Sequence, residues 1–305
     1  MPRAMCFLQG LLLLLMLSYQ VSKPSWCYDV DAGGLIQRWK KPSTSNISLV
    51  TNAVIKPEAI AHVAQYLSNT DKKSVLSGGM ATFDVYGFLD LNKNGQLSSA
   101  KISVAHDNSP EYNSVLAGWT VNPSVYGDSK THFFTGWTAD SHGSTGCYDL
   151  ACNGFVPVNN APITPGDILE PNNGQLKITI KIFKSKDDGD WWLHFGYNNE
   201  NLRPVGFWPK SLFGSLSDHA NLIGWGGFTL SYTGNASPPM GNAQWPGKSS
   251  ASVRDVKYVD PSGEGYKPAP WPAGLNSWVS HKQCYQVSPF LDDMFYYGGP
   301  GGCTV

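Results

Sequence analysis

An all-β fold of sandwich size is what this chain predicts, and three observations carry that expectation. Among 305 residues there are 32 glycines and 21 prolines, with 12% aromatic residues, a composition suited to short strands joined by many turns. From Ser77 onward, short apolar runs alternate with polar positions and are separated by turn-forming clusters. About 230 residues of this pattern is a size that one sandwich accommodates.

The chain opens with Arg3, an apolar run from Phe7 to Leu17 dominated by Leu11–Leu15, and polar Ser18-Tyr19-Gln20. That is the order of a secretory signal peptide. About eleven apolar residues are too few for a bilayer, which needs roughly 20. Residues 1–22 are therefore read as a leader cleaved between Ser18 and Ser25, with a signal anchor as the alternative. The product is expected to be secreted, with the cell wall as one destination.

Residues 23–75 read differently from the remainder. Gly33-Gly34, Lys40-Lys41-Pro42 and the stretch from Ser43 to Ser48 are loop-like, and Pro57 to Ser68 predicts one helix. Pro57 suits a first helical turn, and Ile60, Val63, Ala64 and Leu67 recur at helical spacing. Residues 76–305 then form the β domain. Thr82–Phe88 and Ala100–Ala105 flank Asn92-Lys93-Asn94-Gly95, which reads as a hairpin. Strands are expected over Val115–Val121, His132–Trp137, Lys177–Phe183 and Trp191–Phe195. Lys177 to Ile182 alternates almost purely and reads as a half-buried strand. Asp187-Asp188-Gly189 is the turn into Trp191. Lys210–Leu222 predicts a short helix with Leu212, Phe213, Leu216 and Ala220 on one face. Gly224–Tyr232 and Ser252–Val259 return to strand. The tail from Pro268 to Val305 reads as an ordered loop.

Net charge is −1 and only 15% of residues are charged, which argues against a nucleic-acid partner, since that requires a basic face. It also gives no electrostatic reason to sit on an anionic membrane. Cleavage of the leader removes Cys6 and leaves five cysteines. Cys147 with Cys152, and Cys284 with Cys303, read as two local bridges in an oxidising compartment, with Cys27 left over for a free thiol or an intermolecular contact. Cys147 and Cys152 are also nucleophile candidates in form. Asn46-Ile47-Ser48 and Asn235-Ala236-Ser237 have the form of glycosylation acceptors, the second followed by Pro238.

Several motif matches are incomplete. Asp90 to Ser98 imitates the start of a calcium loop, but the twelfth position is Lys101 where a bidentate carboxylate is required. The seven histidines, from His62 to His281, fall in no zinc spacing. No Gly-x-Ser-x-Gly elbow is present. Gly298-Gly299-Pro300-Gly301-Gly302 lacks the Lys-Ser/Thr of a phosphate loop. No cofactor and no metal is expected.

The specific signal is an ordered string. Gly118-Trp119-Thr120-Val121-Asn122-Pro123 leads to Tyr126-Gly127-Asp128 and Phe134-Thr135-Gly136-Trp137. Thr145-Gly146-Cys147-Tyr148-Asp149-Leu150-Ala151-Cys152 follows. Asp190-Trp191-Trp192-Leu193, Val205-Gly206-Phe207-Trp208-Pro209, Trp225-Gly226-Gly227 and Tyr297-Gly298-Gly299-Pro300-Gly301 complete it. In this order the string resembles the neprosin domain of plant-type secreted glutamic peptidases, from about Ser77 to Cys303.

That resemblance implies a two-layer antiparallel β-sandwich with a cleft on its concave face, and hydrolysis after proline in acid. It implies a precursor with an inhibitory pro-segment, for which residues 23–75 are the candidate. It also implies a pair of glutamates about one water, one ionised as base and one protonated as acid. Carried over, the pair falls on Leu116 and Phe228, neither of which exchanges a proton. Glu111, expected in the loop before Leu116, offers no nearby replacement.

Strand parity then makes Leu116, Gly118 and Thr120 share one face, with Gly224, Gly226, Phe228 and Leu230 on the same face of their own strand. Leu116 and Phe228 either pack together as core or floor a binding groove. The expectation is an inactive homologue that binds extended proline-rich or cell-wall peptides. The alternatives are an acid peptidase using other carboxylates, and a structural or carbohydrate-binding wall protein.

Overall fold

The structure, a computed structural model, describes residues 58–68, 74–91, 95–108, 111–171, 176–269 and 274–304, and the backbone alone of 4–8, 25–30 and 37–40. Strands with one apolar face must bury it against a second layer, and two antiparallel sheets do so here.

The first sheet runs in the order β1 (Ala4–Leu8), β2 (Ser25–Val30), β3 (Gln37–Lys40), β4 (Ala59–Ser68), β15 (Leu222–Tyr232), β6 (Leu97–Asn108), β7 (Glu111–Val121), β8 (Thr131–Thr138) and β11 (Ile168–Leu169). β18 (Leu275–Val279) also pairs with β4, and β9 (Cys147–Tyr148) with β8. The second sheet runs β10 (Val156–Pro157), β14 (Glu200–Trp208), β13 (Trp191–Tyr197), β12 (Lys177–Lys184), β5 (Gly78–Asp84), β16 (Ser252–Val259), β20 (Phe295–Gly298) and β19 (Gln286–Val287), with β17 (Tyr266–Pro268) beside β16. The one α-helical turn among the described residues is Pro123–Tyr126, closed by Gly127 at φ 79°.

Between the sheets lies the core. Ala100, Ile102 and Val104 of β6 and Val115, Ala117, Trp119 and Val121 of β7 meet Ile178, Ile180 and Ile182 of β12 and Trp191, Leu193 and Phe195 of β13. The Trp119 indole N–H donates to the Asp84 carbonyl at 2.9 Å, linking β7 to β5 across the layers.

Several sequence expectations are corrected. Pro57–Ser68 is no helix: Ala59–Ser68 is β4, a strand within the first sheet. Ala61, His62 and Tyr66 are buried along with Ile60, Val63 and Ala64. A strand covered on both faces loses its period-two pattern, so its apolar residues match helical spacing by chance. β2 and β3 lie in a region for which no strand was expected, β3 taking in Lys40 of an expected loop, and Cys27 stands opposite Cys6 in the backbone register. Asn46 lies outside the described residues.

β5 and β6 form no hairpin. β5 pairs with β12 and β16, while β6 pairs with β7 and β15. β5 and β6, consecutive in the chain, therefore belong to different layers. By contrast, Asp187–Gly189 does turn β12 into β13. The β12 strand is not half-buried, because Thr179 and Lys181 on its second face are buried too. There the Lys181 ammonium donates to the Gly263 carbonyl at 2.7 Å.

Lys210–Leu222 holds two short 3-10 turns, Lys210–Leu212 and Ser215–Ser217, in place of a helix. Gly214 interrupts it, although Phe213, Leu216 and Ala220 are buried as expected. The tail is not loop alone: β18 joins the first sheet, and β19 and β20 the second. Both expected bridges form, with Cα–Cα separations of 5.9 Å for Cys147–Cys152 and 6.0 Å for Cys284–Cys303.

Candidate functional site

Alternation along β7 and β15 divides their residues between core and outer face. Val115, Ala117, Trp119 and Val121 point into the core from β7, as do Ile223 and Trp225 from β15. Leu116, Gly118 and Thr120, and Gly224, Gly226, Phe228 and Leu230, therefore take the opposite face. Leu116 and Phe228 do not join the core between the sheets. Leu116 leans on Gly136 of β8, where an added Cβ would stand 3.1 Å from its Cδ1.

The register separates two positions that sequence alone puts side by side. β6 lies between β7 and β15. Leu116 pairs with Ser103, and Ser103 pairs with Gly224. Phe228 instead pairs with Ser99, and Ser99 with Thr120. Phe228 is thus displaced four residues along the sheet from the row of Leu116, roughly 13 Å at strand rise. The residue in the row of Leu116 across β6 is Gly224, about 10 Å away at ordinary strand spacing. Side chains at 116 and 224 would converge above the small Ser103.

Between these two rows stands Lys101. It pairs with Gly118 on one side and Gly226 on the other, and Gly226 pairs in turn with Gln65 of β4. Both flanking positions require glycine. A Cβ at Gly118 would run into the Ala100 carbonyl, and at Gly226 (φ 149°) one would stand 2.5 Å from the Ala64 carbonyl oxygen. The half-buried Lys101 ammonium sits 4.3 Å from the centroid of the Phe228 ring. Burial pushes its pKa down to about 8.

Among the described residues, Lys101 has no ion-pair partner. At the outer-face positions of β4, β6, β7, β8 and β15 the one carboxylate among the described residues is Asp107, four residues along β6 from Ser103. Glu111 does not lie in the preceding loop; it begins β7 itself, on the parity opposite Leu116.

Carboxylates in the adjoining loops are already engaged. Asp140 accepts hydrogen bonds from the backbone of Gly143, Ser144 and Thr145 and from the Ser144 and Thr145 hydroxyls. Asp149 accepts the Tyr126 hydroxyl at 2.6 Å and the Thr135 N–H at 2.8 Å. The Tyr126 ring stacks on His132 at 3.9 Å, and His132 meets the Asp128 carboxylate at 3.0 Å. Burial outweighs these hydrogen bonds and raises the pKa of Asp149. Nearby, His142 is pushed down to about 4 by burial and by the charge on Lys101.

The sequence reading missed Lys101, Gly224 as the partner of Leu116, and Asp149. Parity had put Gly224 on the right face. Choosing its row requires two strand registers that depend on long-range pairing. Among the described residues no group of three His, Cys, Asp or Glu side chains could hold a metal ion.

The family model described as Neprosin matches residues 94–300. Two solved structures of scytalido-glutamic peptidase are similar, one with a transition state analog inhibitor and one with a peptide-based transition state analog. Identities are 10% and 8% and TM-scores 0.43 and 0.40, each match covering 78% of this chain and 97% of that chain.

Proposed function

The chain belongs to the neprosin family, and on that premise we propose that it is a secreted member without glutamic-peptidase chemistry, which binds extended proline-rich or cell-wall peptides on the outer face of β6, β7 and β15. One observation carries this reading. The row Leu116–Ser103–Gly224 holds no carboxyl group, and the charged side chain beside it is the cation Lys101. Family chemistry requires a base to take a proton from water and an acid to return one. Positioned groups of this kind contribute roughly 10² to 10⁴ in rate. Leucine and glycine supply neither. What remains is a sheet face with small residues at Gly118, Gly224 and Gly226, where an extended backbone can approach closely.

Arg3, the apolar run to Leu17 and the two disulfides support secretion. Carbohydrate binding is the weaker alternative, since Trp119, Trp191, Trp208 and Trp225 are fully buried and offer no platform for a sugar ring.

The test is digestion of a proline-rich protein at pH 3 and pH 7 by wild type, Leu116→Glu/Gly224→Glu and Leu116→Glu/Phe228→Glu. Wild type is expected to be silent. The register predicts that activity returns in the 116/224 pair and not in the 116/228 pair. Cleavage by wild type that is abolished by changes on this face would overturn the reading.

The raised carboxyl of Asp149 favours a second reading, an acid peptidase drawing on this group. It predicts wild-type cleavage that disappears in Asp149→Asn.

A further inference from the structure

We propose that His62 and His281 form a two-histidine site for a divalent transition-metal ion that favours right-angled nitrogen ligands, with Cu(II) the best fit. The site goes beyond the peptide reading and does not depend on it. His62 pairs with Thr229, on the parity opposite Phe228, so it faces away from the outer side of the first sheet.

The two residues lie 219 positions apart, so no spacing motif announces them. His62 stands in β4 and is fully buried. His281 is half-buried and opens a turn in which its carbonyl accepts the Cys284 and Tyr285 N–H groups at 3.1 and 2.9 Å. Cys284 is in turn bridged to Cys303. On the other side, Ser280 is tied to β4: its hydroxyl accepts the Val63 N–H at 3.0 Å, and its own N–H donates to the Val63 carbonyl at 3.1 Å. The backbone carrying each ring is therefore held in place before any ion arrives.

Nδ1 of one ring meets Nδ1 of the other at 3.0 Å, with ring centroids 4.7 Å apart and planes at 67°. A head-on hydrogen bond of this length would hold the centroids about 5.3 Å apart, since each centroid lies roughly 1.15 Å behind its nitrogen. The two rings are instead bent toward each other. Nitrogens about 2.05 Å from a shared ion put the centroids about 3.2 Å from it, and both observed separations then return the same angle at the ion, about 94°. A tetrahedral angle would need about 3.3 Å between nitrogens and about 5.2 Å between centroids. Right angles belong to tetragonal Cu(II) and Ni(II), and affinity along the divalent series peaks at Cu(II).

Protonation and the outer partner fit as well. Ligation needs neutral rings. Burial pushes His62 down to about 4 and lowers His281 too, so protons do not compete at neutral pH. His62 Nε2 meets the Ser231 hydroxyl at 3.3 Å, and donation there leaves Nδ1 as the lone-pair nitrogen. The pair His106 and His219 has similar centroids, 4.8 Å apart, but turns its Nδ1 atoms elsewhere. One goes to the His219 carbonyl at 2.8 Å and the other to the Asp218 carboxylate at 2.7 Å. Two protein nitrogens leave the other positions of the ion to water, which enters on the side of His281, where Lys282 and Gln283 are exposed. A bound ion would clamp the C-terminal tail to β4.

The experiment titrates Cu(II) into the full-length protein at neutral pH and follows melting temperature and electron paramagnetic resonance. His281→Asn removes one ligand at a half-buried position, and His219→Asn serves as the control from the other pair. Near-ultraviolet spectra check that both variants fold. Independently of any variant, anomalous scattering at the copper edge locates the ion in crystals of the wild type soaked with Cu(II).

The expected result is a tetragonal signal coupled to two nitrogens and a melting temperature that rises with Cu(II). Affinity should fall about tenfold or more in His281→Asn, because losing even the partner of a ligand costs roughly 10–100-fold. His219→Asn should keep the wild-type affinity, and the anomalous peak should lie between His62 and His281. Unchanged affinity in folded His281→Asn, or a peak elsewhere only, would overturn the site and reduce the pair to a hydrogen bond. Neither outcome touches the peptide reading, since no peptide enters the measurement.

Discussion

The Lys101 ammonium lies 4.3 Å from the centroid of the Phe228 ring. A cation on an aromatic face gains roughly 0.5–2 kcal/mol, according to how far it is desolvated. Phe228 occupies a position expected from sequence to have lost a catalytic carboxylate, yet its side chain has a definite job: it covers a charge that has no carboxylate partner among the described residues. The consequence is readable as pH dependence. Lys101 titrates near 8 in the folded chain and near 10.5 when unfolded. Between those values the unfolded chain binds the extra proton, so stability rises with pH from about 8 upward. Unfolding of wild type and Lys101→Met, compared between pH 7.5 and pH 9.5, should show this increment in wild type alone. An identical pH trend in both would mean that Lys101 is not desolvated.

Acid should weaken the fold by the opposite half of the same linkage. His62, His142 and His194 are each pushed down to about 4, chiefly by burial. From pH 6.5 down to about 4 the unfolded chain takes up protons that the folded chain refuses. Stability therefore falls as pH drops through that window, by up to about 1.4 kcal/mol per pH unit per histidine. Melting temperature against pH should fall below pH 6.5, and His142→Asn should flatten the curve. The digestion at pH 3 consequently needs a parallel check that the protein is still folded.

Trp119 should be worth more than its apolar bulk. Its indole N–H reaches the Asp84 carbonyl across the layers while the ring fills the core. Trp119→Phe keeps an aromatic ring but leaves that buried carbonyl without this donor, at a cost of about 1–3 kcal/mol before any cavity term. Urea unfolding is the measurement. A loss below about 0.5 kcal/mol would show that the bond contributes little.

A chain beginning at Leu76, where the sequence reading starts the β domain, should not be soluble. β4 would be missing, and with it the partner of β15 from Gly224 to Tyr232. The exposed edge of β15 would then offer unpaired N–H and C=O groups to other chains. A chain beginning at Lys56 keeps β4 and is expected to behave better on size exclusion. Equal behaviour of the two would argue that β4 is dispensable.

Cys284→Ser with Cys303→Ser should destabilise by about 2–4 kcal/mol, since this bridge closes a loop of 19 residues. The loop carries Tyr285, whose hydroxyl donates to the Pro238 carbonyl at 2.6 Å, and β20. Denaturant midpoints of oxidised and doubly substituted protein give the answer directly.

What the sequence determined is local. Alternation in β7 and β15 placed Leu116, Gly118, Gly226 and Phe228 on one face, because side chains alternate whatever a strand pairs with. The spacing of Cys147 and Cys152, and of Cys284 and Cys303, predicted bridges that the fold closes. What only the tertiary structure decided is which residues stand opposite one another. That Ala59–Ser68 is a strand rests on hydrogen bonds from β15 and β18, both more than 150 residues distant in the chain. That Leu116 faces Gly224 and not Phe228, with Lys101 between the rows, follows from two registers fixed by burial across the sheet. Backbone pairing is set by long-range contacts, and no local pattern encodes its offset.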